Sequence, residues 1–247
     1  MTRPAGSVKL LGIVDQTSLA DLIPRVENLG QSLRKRGVFV TWSVIDSTDY
    51  VTGIITGLQA LKSAFFRPNI LPLNLPDPAP RISEIERVVG EAKRLGVGVA
   101  LLGMHPKAGL GRETVVNVWL RPPEIGETVA SALSRSNMHL GILLAYRLAR
   151  AWDAELNLLS VAPQESDRDR VHAYIEEMRD LCRIPAGART LVLVGEFEER
   201  LVDAPQSDID FFGMPKDLQL AFAVRMVAAT RSSCIFTVDS GHENALA

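Results

Sequence analysis

Short β-branched runs alternate with segments whose apolar residues recur at helical spacing, and few folds accommodate that alternation. Parallel strands cannot be joined by a tight turn; they need a crossover of about a dozen residues or more, which a helix supplies. The pattern therefore predicts an α/β protein with mainly parallel sheets flanked by helices. In the first half, strands are expected over 8–14, 38–45, 69–75 and 97–104. Helices are expected over 18–36, where Ser18 caps and Gly37 stops, over 50–66 behind the capping cluster Asp46-Ser47-Thr48-Asp49, and from 82 to Gly96. Pro76 to Pro80 reads as a stiff turn. In the second half, strands over 114–120, 155–161, 190–194, 209–213 and 234–238 are interleaved with helices over 137–152, 166–183 and 216–230.

The two halves repeat one another. Ile85, Val88, Val89, Ala92 and Leu95 fall opposite Val171, Tyr174, Ile175, Met178 and Leu181, each pair 86 residues apart. The strands ahead of these helices, 69–75 and 155–161, keep the same offset. The Gly- and Pro-containing stretch 105–113 separates the repeats, which predicts two similar α/β subdomains over 1–112 and 113–247.

A chain of 247 residues buries roughly 70–75% of the surface its unfolded form exposes, so no staple is needed. The two cysteines, Cys182 and Cys234, suit a reducing compartment and look like buried small hydrophobes. A membrane helix takes about 20 apolar residues, whereas the longest uncharged runs are 37–45 and 50–61, so no spanning segment is expected. The opening residues lack the apolar core of an export signal, because Lys9 and Gly12 interrupt 8–14. Charge is split: residues 1–124 carry 15 Lys and Arg against 11 Asp and Glu, and residues 125–247 carry 12 against 18. The one basic cluster, Arg34-Lys35-Arg36, lies at an expected helix end and complements its dipole, so no nucleic-acid partner is expected.

Catalytic chemistry needs a nucleophile, a base or a metal set. His105, His139, His172 and His242 have no second histidine three or four residues away, which excludes a helical zinc motif and leaves His139 and His172 as residues of helix surfaces or edges. Asp208 and Asp210 form a DxD pair, but at the amino end of a strand, where a solvated edge is the expectation. Asp239-Ser240-Gly241-His242 places a serine between acid and imidazole in what reads as a fraying terminus. In Gly103 to Arg112 the lysine precedes the glycines and no helix follows, so a mobile connector is expected rather than a phosphate loop. No catalytic, cofactor-binding or metal residue is assigned, no cofactor is expected, and the chain is not expected to be an enzyme.

Several stretches taken together resemble the cytosolic C-terminal domain of cation-chloride cotransporters. Phe66-Arg67-Pro68-Asn69-Ile70-Leu71 resembles that family's RPN-type step from helix to strand. Thr114-Val115-Val116-Asn117-Val118-Trp119-Leu120 resembles a strand usually written TIDVWW, with Asn117 standing where the acid usually does. Leu143-Leu144, Trp152 and Glu155 to Val161 continue the likeness, whose order of elements is kept from the first strand to the last. The resemblance implies the C-terminal domain of a prokaryotic, Na-K-Cl type cotransporter, with two halves similar to universal stress proteins. It implies a regulatory module that pairs as a homodimer, with its own transmembrane transporter domain as partner, at the cytoplasmic side of the cell membrane; the fragment itself would be soluble. The positive balance of residues 1–124 would suit contact with an anionic inner leaflet, at about 1 kcal/mol per basic residue near the surface. Equal binding to anionic and neutral vesicles would remove that expectation.

The alternative is a stand-alone universal-stress-protein-like protein binding an adenine nucleotide. It would need a glycine-rich loop where Gly213-Met214-Pro215-Lys216-Asp217-Leu218-Gln219 has one glycine. A small-molecule enzyme on the same fold would need a convergent acid, base or nucleophile, which the sequence does not display.

Overall fold

The computed structural model describes residues 6–14, 18–63, 67–75 and 82–246. The chain runs β1 (Ser7–Val14), α1 (Leu19–Lys35), β2 (Phe39–Asp46), α2 (Tyr50–Lys62), β3 (Ile70–Asn74), α3 (Ile82–Arg94), β4 (Gly98–Gly103), β5 (Val115–Leu120), α4 (Val129–Arg135), α5 (Met138–Trp152), β6 (Glu155–Ala162), α6 (Arg168–Leu181), β7 (Arg189–Val194), α7 (Phe197–Arg200), β8 (Ile209–Gly213), α8 (Leu220–Thr230) and β9 (Ser233–Val238). The fold is α/β, with mostly parallel sheets flanked by helices. Two compact units divide it: Met1–Leu71 with Ser83–Val97, and Pro72–Ile82 with Gly98–Ala247. The expected turn 76–80, residues 64–66 of the second helix, and Phe66 of the RPN-like step lie outside the described residues.

In the first unit β1 and β2 pair in parallel, from Ser7 opposite Phe39 to Val14 opposite Asp46, and α1 and α2 pack on them. Small residues set the approach: a Cβ on Gly57 of α2 would run into the Leu11 side chain, and one on Gly30 of α1 into the Trp42 ring. Arg34 stacks 4.4 Å over Trp42 and donates from Nε and Nη2 to the Val40 carbonyl at 3.1 and 3.0 Å. One cation of the basic cluster is thus a clip onto β2, beyond any service to the helix dipole. Ser18 occupies the N-cap of α1 without a side-chain bond; its carbonyl accepts from the Asp21 and Leu22 amides. Asp49 does cap α2, accepting from the Thr52 N–H at 2.9 Å. Gly37 and Gly96 stop their helices at φ +82° and +74°, where other residues are strained.

The larger sheet has seven strands in the order β3-β4-β9-β8-β5-β6-β7. The first-half strands β3 and β4 are therefore in one sheet with the second-half strands, while β1 and β2 form a sheet of two. All recorded pairs within the larger sheet from β9 to β7 are parallel, and β4 runs antiparallel to β9. Trp119, Phe212 and Phe236 lie in register on β5, β8 and β9, with ring centroids 6.0 and 5.5 Å apart; Phe197 and Phe222 meet Phe212 edge-on. Ile85, Val88, Val89 and Ala92 are buried, as are their counterparts Val171, Tyr174, Ile175 and Met178, whereas Leu181 is 40% exposed.

Three local departures have local causes. A short helix, α4, fills a stretch that showed no periodicity; Thr128 caps it through the Ser131 N–H at 3.3 Å. The helix expected from 216 starts at Leu220, because Leu218 sits at φ +43°, outside helical space. The helix expected from 166 opens as a 3₁₀ turn, Glu165–Asp167, before α6.

Candidate functional site

Period-two alternation puts Asn117 and Trp119 on one face of β5, and the register sets Asn157 of β6 and Asp210 of β8 on either side of Asn117. These form a buried polar rung beside the aromatic one. Asn157 Nδ2 donates to Asn117 Oδ1 at 2.9 Å, and Asn117 Nδ2 donates to the Pro205 carbonyl at 2.9 Å. Asp210, 1% exposed, accepts from Trp119 Nε1 at 2.7 Å, from Ser207 Oγ at 2.6 Å, and from Ser232 Oγ. Burial pushes its carboxyl above the ordinary value, against the pull of those donors. The solvated edge expected for Asp210 is thus incorrect, since the carboxyl reaches across 91 residues to an indole in the sheet interior. A cavity of about 240 Å³ opens beside this cluster, lined by Asn117, Trp119, Leu201, Ser207, Asp210 and Thr230 among others. Each donor comes from a strand or the segment entering one, so the arrangement ties β5, β8 and the approach to β9 together.

Asp208, two residues earlier, does a different job. Its oxygens accept from the Arg112, Thr114 and Val115 amides at 2.8, 2.6 and 2.9 Å and from the Thr114 hydroxyl at 2.9 Å. Burial raises its carboxyl, but these bonds outweigh it and hold it below the ordinary value. The loop expected to be a mobile connector is therefore pinned. His105 Nδ1 accepts from the Ala108 amide at 3.0 Å, the His105 amide donates to Ser233 Oγ at 2.9 Å, and Ser233 donates to the Gly109 carbonyl at 2.5 Å. Amides that would cradle an outside anion already hold the carboxylate of Asp208.

Two further expectations are corrected. His139 is 8% exposed rather than on a helix surface, between Ser134 Oγ at 3.1 Å from Nε2 and the Ala245 amide at 3.2 Å from Nδ1. The Asp239 segment does not fray: its carboxylate accepts from the His139 and Leu140 amides at 3.2 and 2.9 Å, capping α5. His172 is exposed and Cys234 buried, as expected, while Cys182 is half-buried, its thiol pushed up to about 11 by burial.

A shielded ion pair lies at α4. Glu127 accepts from Arg135 Nη2 at 2.6 Å and Nε at 2.8 Å, and this pairing holds the Glu127 carboxyl down at about 2. The stabilisation is full above the ordinary carboxyl value of 4.5 and is lost as pH falls from there toward 2. Arg135→Ala is expected to cost about 2 kcal/mol at neutral pH, a difference that shrinks in acid. Urea unfolding of both proteins at several pH values checks it, and a constant gap down to acid would contradict the assignment.

Gly213, in the loop where a nucleotide-binding relative would carry its glycines, abuts the helix junction: a Cβ there would collide with the Ser136 carbonyl. Asn137, at φ +54° between α4 and α5, donates from Nδ2 to the Met214 carbonyl at 2.8 Å. No described helix is long and apolar enough to cross a membrane, and no group of three or more His, Cys, Asp or Glu suited to a metal ion occurs among the described residues.

Profiles of the prokaryotic cation-chloride cotransporter C-terminal domain match the chain in two parts, the first over residues 1–110 and the second over 111–246. The chain is similar to the crystal structure of the cytoplasmic domain of a prokaryotic cation chloride cotransporter, with 32% identity, TM-score 0.83, and coverage of 98% of this chain and 88% of that one. It shares its fold with a Pseudomonas aeruginosa UCBPP-PA14 protein of the universal stress type (13% identity, TM-score 0.61, 95% and 84% covered) and with a universal stress protein from Archaeoglobus fulgidus DSM 4304 (10% identity, TM-score 0.53, 95% and 86% covered). No curated protein matches the chain. The resemblance first carried by the RPN-like step and the Trp119 strand thus extends over nearly every residue, and the chain belongs to the prokaryotic cation-chloride cotransporter family, as its C-terminal domain.

Proposed function

We propose that this chain is the cytosolic domain through which a membrane cation-chloride cotransporter pairs with a second copy and adjusts transport, with no catalytic step of its own. Family membership supports the link to a transmembrane partner domain and a cytoplasmic position. The observation that carries the pairing is the outer edge of β7. This strand, Arg-Thr-Leu-Val-Leu-Val, ends the seven-stranded sheet, and among the described residues no strand pairs its outer side. A β-branched edge with neither proline nor lysine is a template for another strand, and two copies related by a two-fold axis would close on it. Val192 belongs to the core cluster, so Leu191 and Leu193, half-buried, occupy the opposite face of β7.

Sedimentation of the wild-type chain is expected to give a dimer, and Leu191→Lys with Leu193→Lys to weaken it at least about tenfold while leaving the circular dichroism spectrum unchanged. A monomeric wild type, or a folded double variant that dimerises equally well, would overturn the pairing. The nucleotide alternative is disfavoured by the crowding at Gly213. Calorimetric titration with ATP is the direct check, and micromolar heat would reverse the preference.

A further inference from the structure

We infer that residues 240–246 form a strap latched onto the start of α5 by the neutral imidazole of His139, and that protonation of this ring releases it. The geometry fixes the tautomer. Nδ1 accepts the Ala245 N–H at 3.2 Å, so the single proton of the neutral ring is on Nε2, facing Ser134 Oγ at 3.1 Å. A second proton has to go onto Nδ1, where it meets an N–H instead of a lone pair. The Ala245 amide then loses its acceptor in a site that is nearly dry, Ala245 being 6% and His139 8% exposed.

That bond is the strap's polar tie to α5. Its other recorded bonds are internal and travel with it: the Ser240 and Gly241 amides to Glu243 Oε2 at 2.8 and 3.2 Å, and the Leu246 amide to Asn244 Oδ1 at 3.1 Å. Beyond it the hold is apolar, through Ala245 in the core cluster and Leu246 packed against it. Losing the Ala245 bond therefore acts at the point where the strap enters the core.

The charges around His139 set the direction of the response. From the end of β9 comes Asp239, whose carboxylate caps α5 and attracts an imidazolium; burial, with a smaller push from Glu243 of the strap, raises its carboxyl above the ordinary value against those bonds. From α4 comes the uncharged Ser134, and the charge at the end of that helix, Arg135, is engaged by Glu127. On the strands packed against α5, Asp210 is engaged by Trp119, Ser207 and Ser232, and Glu155 of β6 lies 3.4 Å from Arg189 of β7. His242 of the strap is exposed. A positive ring is thus drawn to Asp239 at the moment its acceptor function is lost, so acidification loosens the strap.

Amide hydrogen exchange on the whole chain tests this, comparing about pH 7.5 with about pH 5.5 after correction for intrinsic rates. Protection of the peptide containing Ala245 is expected to fall at least about tenfold in acid while β6 and the body of α5 remain protected. His139→Gln keeps an amide acceptor without a titrating proton, and is expected to hold the strap at both pH values. His139→Phe removes the acceptor and is expected to free it at both. Unchanged protection in the wild type, or the same acid response in His139→Gln, would overturn the latch. Should a variant fail to fold, the Leu246 methyl resonances of the wild type followed through the same pH range decide alone, since sharpening in acid supports release and constancy refutes it.

Discussion

Gly213→Ala is expected to lower the stability of the second unit by about 4 kcal/mol or more, beyond the usual range for a one-carbon change. Gly213 closes β8, and its added Cβ would press into the backbone carbonyl of Ser136, with Met138 Sδ 3.1 Å away. A flexible side chain could swing aside; this obstacle cannot. The Ser136 amide and hydroxyl are both committed to the Ala132 carbonyl, at 3.1 and 2.7 Å, and the next residue, Asn137, is held in a left-handed conformation by bonds to Met214 and Asp239. Relief therefore has to come from β8, which pairs on both sides. Thermal unfolding is the measurement, and at roughly 2–4 °C per kcal/mol for a chain of this size the midpoint should drop by about 10 °C. A midpoint within a degree or so of wild type would mean that α4 and α5 can separate freely.

Asp210→Ala should cost about 3 kcal/mol, because it leaves the Trp119 indole N–H and the Ser207 and Ser232 hydroxyls without their shared acceptor in the interior. Asp210→Asn keeps one acceptor oxygen, and the hydroxyls can turn to meet its amide, so about 1 kcal/mol is expected. The pH dependence separates the charge from the hydrogen bonds. Burial holds the Asp210 carboxyl above its ordinary value, so the folded protein keeps this proton more tightly than the unfolded chain. Its contribution is favourable in acid and declines as pH rises through the folded-state value, a slope the Asn variant should lack. Urea midpoints of the three proteins across pH, with Trp119 emission as a local readout, test both parts. Equal stability of the Ala and Asn variants would show that the acceptor itself is unimportant.

The elements read most accurately from the sequence were those whose signals are local. The strand over 209–213 has the expected bounds, Gly37 and Gly96 stop helices where their positive φ is needed, and the apolar spacing of α3 and α6 matches what they bury except at Leu181. Signals failed where the deciding partner is remote. Asp208 and Asp210 look alike in a window of ten residues, yet one clamps the loop at 112–115 and the other receives the indole of Trp119. His139 reads as a surface residue because the strap that covers it is 106 positions away. At seven residues, α4 spans under two turns, too few for a periodic pattern to emerge.

The place of β9 has a consequence for how the protein is made. β9, the last strand among the described residues, is an inner strand of the larger sheet, inserted antiparallel to β4 and parallel to β8. During synthesis β3 and β4 emerge early and the β8-β5-β6-β7 group later, and neither can close onto the other before residues 233–238 leave the ribosome. Until then two unsealed strand borders coexist, so the growing chain is most exposed to misassociation in the interval before β9 emerges.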